Sequence, residues 1–196
     1  MVGRVVAIGG SWGGGAALGR VLASLPGDLG APVVVALHRY PGASRLAEQL
    51  GRHGPLAVAD AEDKQELWPG CVLLAPPDYH LLVEGGMCVL SIDEPVRYSR
   101  PSIDVLFESV ADAYRSRAVG VLLTGASEDG SAGLARIQAR GGLTIAQDPA
   151  SAECPIMPRA AIEAGAVGRV LGLEEIGEAL VSACATEDVG VEEGAR

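Results

Sequence analysis

The chain predicts a three-layer α/β fold: a doubly wound, mainly parallel β-sheet flanked by helices, with an antiparallel β-hairpin attached. Short apolar, β-branched runs alternate with longer segments of helical periodicity, the pattern of repeated βα units and a parallel sheet. The run 32–37, PVVVAL, is apolar almost throughout, as a strand buried on both faces requires. Glycine is frequent, with 27 residues against two tryptophans, four tyrosines and one phenylalanine, which suits many tight strand-to-helix turns.

The elements follow in order. Residues 5–8 read as the first strand and 13–25 as the first helix; 32–37 is the second strand and 44–52 the second helix. A weak strand lies around Ala57 and Val58, before the turn at Pro69-Gly70. Residues 71–75 form a strand, and 80–83 with 87–92 flank Glu84-Gly85-Gly86 as a hairpin. After Pro101, the segment 102–115 places Ile103, Leu106, Phe107, Val110 and Ala111 at helical spacing. A strand over 119–123, a helix over 131–140 and a strand over 143–146 come next, and helices over 158–164 and 173–184 close the chain. With no repeat and no long polar linker, residues 1–185 read as one domain, and the acidic stretch 186–196 as a disordered tail.

Composition excludes several classes. The net charge of -10 argues against nucleic acid as a partner, because phosphate binding needs a basic face. No apolar run is long enough to insert into a membrane, and none resembles a signal peptide. The four cysteines are scattered, without a CxxC pair or metal-ligand spacing, so no metal is expected, and no dinucleotide or nucleotide-phosphate loop motif points to an organic cofactor. Unpaired thiols in apolar stretches point to the reduced cytoplasm.

Chemistry concentrates at three strand ends. Ser11 stands in IGGSWGGG between the first strand and first helix, where glycines allow close backbone approach and a helix N-terminus favours negative charge. Neither G-x-G-x-x-G nor GxxxxGK[ST] fits this loop, and simple helix capping by Ser11 remains open. His38 follows the second strand immediately, while His53 reads as solvated and His80 as structural or part of the rim. Asp129 lies in LLTGASEDGS after another apolar strand, where it could cap the next helix or orient a histidine. A serine, a histidine and an aspartate at the same sheet edge form a candidate triad, with Ser11 and His38 expected within hydrogen-bond reach. The order Ser, His, Asp differs from that of α/β-hydrolases, and the G-x-S-x-G elbow is absent.

These segments together resemble the catalytic domain of CheB-type methylesterases, which remove methyl groups from glutamyl esters on chemoreceptors. IGGSWGG resembles the nucleophile turn, VVVALHR the histidine strand and PGCVLLAPPDYHLLV the stretch entering the hairpin. RPSIDVLFESVA, LLTGASEDGSAGL and AQDPASAECPIMPRAAI resemble further family segments, in the family's order. The resemblance implies a protein-glutamate methylesterase with Ser11, His38 and Asp129 as catalytic residues, the Trp12 amide in the oxyanion hole, and possible glutamine deamidation. It implies a methylated chemoreceptor-like protein, through its cytoplasmic helices, as partner. Trp12 stands where the family commonly has threonine, Ala126 where it usually has methionine and Ser127 where it has glycine, so a reshaped pocket is expected. Family members usually carry an N-terminal receiver domain, and this chain begins almost at the catalytic strand, as a stand-alone hydrolase or part of a longer protein would. The rivals are a small-molecule carboxylesterase on the same triad and a non-catalytic binding module.

Overall fold

A computed structural model describes residues 3–39 and 45–185; the tail 186–196 and the expected helix start at Ser44 lie outside the described residues. The order is β1 (Val5–Gly10), α1 (Gly14–Ala23), β2 (Val33–Leu37), α2 (Leu46–Leu50), β3 (Ala57–Asp60), β4 (Cys71–Leu74), β5 (His80–Glu84), β6 (Met87–Ser91) and α3 (Ile103–Tyr114). There follow β7 (Ala118–Leu122), α4 (Ser131–Ala139), β8 (Leu143–Gln147), α5 (Ile156–Glu163), β9 (Arg169–Leu171) and α6 (Leu173–Cys184). Seven strands form one parallel sheet in the order β3-β4-β2-β1-β7-β8-β9. The chain winds outward from β1 in both directions, so the loops after β1 and β7 meet at a topological switch point, where open α/β sheets bind ligands.

Alternation along the strands sorts the core into two layers. Val6, Ile8, Val33, Val35 and Val72 pack with α1 and α6 on one face. Val5, Ala7, Val34, Ala36 and Leu73 pack with α3, α4 and the β5–β6 hairpin on the other. Because both faces are covered, the central strands are apolar at every position, as PVVVAL implied. The hairpin is the expected one, its turn made by Gly85 and Gly86 at φ 57° and 84°, a conformation that glycine takes freely.

Two departures from the sequence reading have simple causes. β9 was not expected, because Arg169, Val170 and Leu171 carry no burial alternation; an edge strand needs only the free backbone of β8. α5 starts at Ile156 rather than Pro158, because a proline in the first turn gives up an N–H that has no intrahelical partner there.

The close contact of α3 with α4 shapes the site. A Cβ on Gly133 of α4 would lie 2.5 Å from the Phe107 Cβ and 2.9 Å from the Asp104 carbonyl oxygen of α3, so only glycine lets these helices meet. Gly133→Ala should therefore separate them and cost about 1–3 kcal/mol by overpacking. At roughly 2–4 °C per kcal/mol for a chain of this size, the thermal midpoint falls by several degrees. An unchanged midpoint would show that the α3–α4 contact is not tight.

Candidate active site

Ser11 leaves β1 in a sharp turn. Its N–H donates to the Thr124 carbonyl (3.0 Å), its carbonyl accepts the Gly14 N–H (2.8 Å), and Gly13 adopts φ 76° before α1 begins. The residue capping α1 is Gly13, with no side-chain cap, so the Ser11 hydroxyl is not engaged in capping. Gly125 comes so close that a Cβ there would lie 2.9 Å from the Ser11 Cβ.

His38 follows β2, its N–H bonded to the Gly10 carbonyl at 3.1 Å. Its Nε2 lies 2.7 Å from Asp129 Oδ2, and its side chain is 14% exposed against 0% for Asp129. Asp129 does not cap the helix that follows it; Gly130, at φ 95°, takes that position without a side-chain bond. It receives the start of α3 instead: Oδ2 accepts the Ile103 N–H (2.7 Å), and Oδ1 accepts the Asp104 N–H and the Ser102 hydroxyl (both 3.0 Å). Burial pushes the Asp129 carboxyl up, but the His38 hydrogen bond and the two amides outweigh it and hold it below the usual carboxylate range.

Ser11, Trp12, His38 and Ala126 line one pocket of about 580 Å³ with Arg39, Tyr98 and Arg100. The three predicted residues thus converge at one sheet edge, with the His38–Asp129 bond formed. Among the described residues the Ser11 hydroxyl makes no hydrogen bond to the imidazole, so that expected contact is not made here. A neutral imidazole that donates Nε2–H to the Asp129 carboxylate carries its lone pair on Nδ1. The Trp12 and Ala126 amides have no protein acceptor among the described residues, whereas the Gly125 amide is taken by the Cys154 carbonyl (3.0 Å).

Several supporting residues escaped the sequence reading. Thr124 donates its hydroxyl to the Trp12 carbonyl (3.0 Å) and accepts the Cys154 N–H (2.8 Å), while its own N–H donates to Gln147 Oε1 (2.8 Å). His80 is structural: Nδ1 accepts the Ser102 N–H (3.1 Å), leaving Nε2–H for the Glu94 carbonyl (3.2 Å). Asp104 is buried beside Asp129, and its Oδ1 accepts the Gly130 and Gly133 N–H groups (2.9 and 2.7 Å). Its carboxyl is raised to about 6, by burial first and also by the Asp129 charge, against the pull of those amides. An acidic residue in the first turn of a helix was the available signal, but it reads as ordinary capping. Among the described residues no cluster of His, Cys, Asp or Glu could hold a metal, and the four cysteines are free.

Two expectations follow. In Asp129→Asn the NH₂ must face either the Ile103 or the Asp104 N–H, donor against donor, costing about 1–3 kcal/mol; a thermal midpoint equal to the parent's would refute this geometry. Asp104 has its folded value above the 3.8 of a free carboxyl, so its contribution to stability is complete below pH 3.8 and lost as pH rises through about 6. Asp104→Asn keeps an oxygen for Gly130 and Gly133 but cannot titrate. Its midpoint relative to the parent should therefore climb between about pH 4 and pH 6, and a flat difference would exclude this linkage.

Comparison with known proteins matches this geometry to a family. The family model of the CheB methylesterases matches residues 6–180. The crystal structure of the Thermotoga maritima CheB methylesterase catalytic domain superposes with a TM-score of 0.89 at 34% identity, covering 93% of this chain and 99% of that one. A Leptospira interrogans protein is 44% identical over 183 residues, 91% of this chain and 93% of its own length. The protein-glutamate methylesterase/protein-glutamine glutaminase of Maricaulis maris is 39% identical over 183 residues, and that of Treponema pallidum is 43% identical over 178. The matches take in 91% and 88% of this chain but only 46% and 44% of those relatives, so it spans about half their length. The chain belongs to the CheB methylesterase family.

Proposed function

We propose that this chain is a serine hydrolase that demethylates glutamyl γ-methyl esters of chemoreceptor-like proteins in the cytoplasm, and that it deamidates glutamine at the same site. The observation that carries the reading is the 2.7 Å His38–Asp129 bond in a pocket shared with Ser11 at the switch point of the sheet. The names of the Maricaulis and Treponema relatives support the substrate class. No helix among the described residues is long and apolar enough to cross a membrane.

The Ser11 hydroxyl passes its proton to His38 Nδ1 as Oγ attacks the γ-carbonyl. Here Asp129 holds Nε2, so the two ring nitrogens exchange the roles they have in chymotrypsin-type triads. The contact tightens as substrate binds, as catalytic hydrogen bonds commonly do. The Trp12 and Ala126 amides stabilise the oxyanion, and Asp129 stays ionised to balance the imidazolium. His38 returns the proton to the leaving methoxide, methanol departs, and a γ-acyl ester of Ser11 remains. Water then gives one proton to His38 as it attacks that ester; His38 passes this proton to the departing Ser11 oxygen, and the glutamic acid product leaves and releases its remaining proton to solvent. With glutamine, ammonia replaces methanol.

Ser11→Ala and His38→Ala should each lose most of the methanol release from a methylated receptor fragment, and the double variant little more, since neither group works without the other. Losses on the order of a millionfold are reached in comparable hydrolases. Ser11→Ala should also abolish labelling by a fluorophosphonate probe. Turnover by Ser11→Ala within about tenfold of the parent would remove the serine from the mechanism.

A further inference from the structure

Two large aromatic side chains on the pocket rim take no part in this chemistry. The Trp12 ring is mostly in water, at 65% exposure, and Tyr98 is fully exposed. Trp12 is nevertheless held: its Nε1 donates to Glu153 Oε1 at 2.8 Å, and Glu153 fills the notch over Gly13, where a Cβ would lie 2.9 Å from the Glu153 Cβ.

Tyr98 is lifted outward by its backbone. Val96 and Ser99 exchange two backbone hydrogen bonds (3.1 and 2.9 Å) around a two-residue turn formed by Arg97 and Tyr98. Both turn residues have positive φ, 49° and 64°, in a turn that ordinarily takes Asn-Gly or Gly-Gly. The β5–β6 hairpin of this molecule uses Gly85-Gly86 for the same purpose. Arg97 gains ion pairs at 3.6 Å with Asp104 and Glu128, but the Tyr98 side chain forms no hydrogen bond or ion pair among the described residues. A left-handed backbone that raises an aromatic ring at the rim of a pocket, with no partner for that ring among the described residues, points to a function for the ring outside the fold. The pocket is also large: a γ-methyl ester side chain has only a handful of heavy atoms and fills a small part of about 580 Å³.

We propose that Trp12 and Tyr98 are specificity-determining residues that grip the polypeptide flanking the esterified glutamate, so that the enzyme selects protein-borne over free esters. Rigid aromatic faces bind polypeptide at low conformational cost, which suits this task. The proposal rests on the glutamyl-ester reading above and names what that site recognises around the ester.

The test follows methanol release from a helical peptide bearing a single glutamyl γ-methyl ester and from N-acetylglutamate γ-methyl ester methylamide, which carries the same bond without flanking chain. The parent protein prefers the peptide. In Tyr98→Gly the peptide-to-amide ratio of kcat/KM falls by about tenfold or more, chiefly through KM. The thermal midpoint stays level or rises, because glycine adopts this φ without strain. Tyr98→Phe keeps the ring and retains the parent ratio. An unchanged ratio in Tyr98→Gly, a lowered midpoint, or a parent protein without preference for the peptide overturns the grip. Methanol release from neither substrate by the parent protein overturns the ester reading itself.

Discussion

The Asp129 carboxylate carries its negative charge on a side chain with no solvent exposure, and the local structure is arranged to make that tolerable. A carboxylate has about four acceptor directions, and here His38 Nε2, the Ser102 hydroxyl and the Ile103 and Asp104 amides occupy them. Three of the donors belong to the start of α3 and the fourth to the end of β2. The charge therefore fixes where α3 begins relative to the imidazole, and the imidazole's tautomer follows from the same contact. An unpaired buried carboxylate would instead take up a proton and release the ring.

The arrangement is reciprocal. Asp129, just before α4, satisfies the first amides of α3, while Asp104, inside α3, satisfies those at the start of α4. Each carboxylate lies at the positive end of a helix that is not its own, where backbone dipoles favour negative charge. Burial first, and the repulsion between two acids this close second, make Asp104 bind a proton more readily. Gly133 is the steric condition for the exchange, since a larger residue would hold α4 away from Asp104.

The serine turn is braced differently, through neutral groups. Thr124 connects Ser11, Trp12, Cys154 and Gln147 by hydrogen bonds to both its backbone and its hydroxyl. This leaves the serine hydroxyl and the Trp12 amide unengaged at the end of a rigid strand. The surrounding rim follows the opposite rule, with exposed rings and a turn in left-handed backbone. A braced turn beneath the pocket and exposed rings around it suit a site for an external ligand.

The sequence by itself determined the layered α/β class, the glycine hairpin, and the positions of Ser11, His38 and Asp129 at strand ends. Those features depend on side-chain periodicity and on backbone sterics within a few residues, both written locally in the chain. It left open whether Ser11 and Asp129 were caps, whether His80 lined the rim, and what Asp104 did. Those answers depend on donors and acceptors far apart in the chain, from 22 residues for Ser102 with His80 to 91 for His38 with Asp129. No local pattern distinguishes an aspartate capping its own helix from one capping a neighbour's, because the choice is made when two helices pack. Only the tertiary structure decided that Asp129 faces α3 and His38: close packing through Gly133 brought the α3 donors within reach, the parallel sheet brought His38, and burial made their hydrogen bonds obligatory.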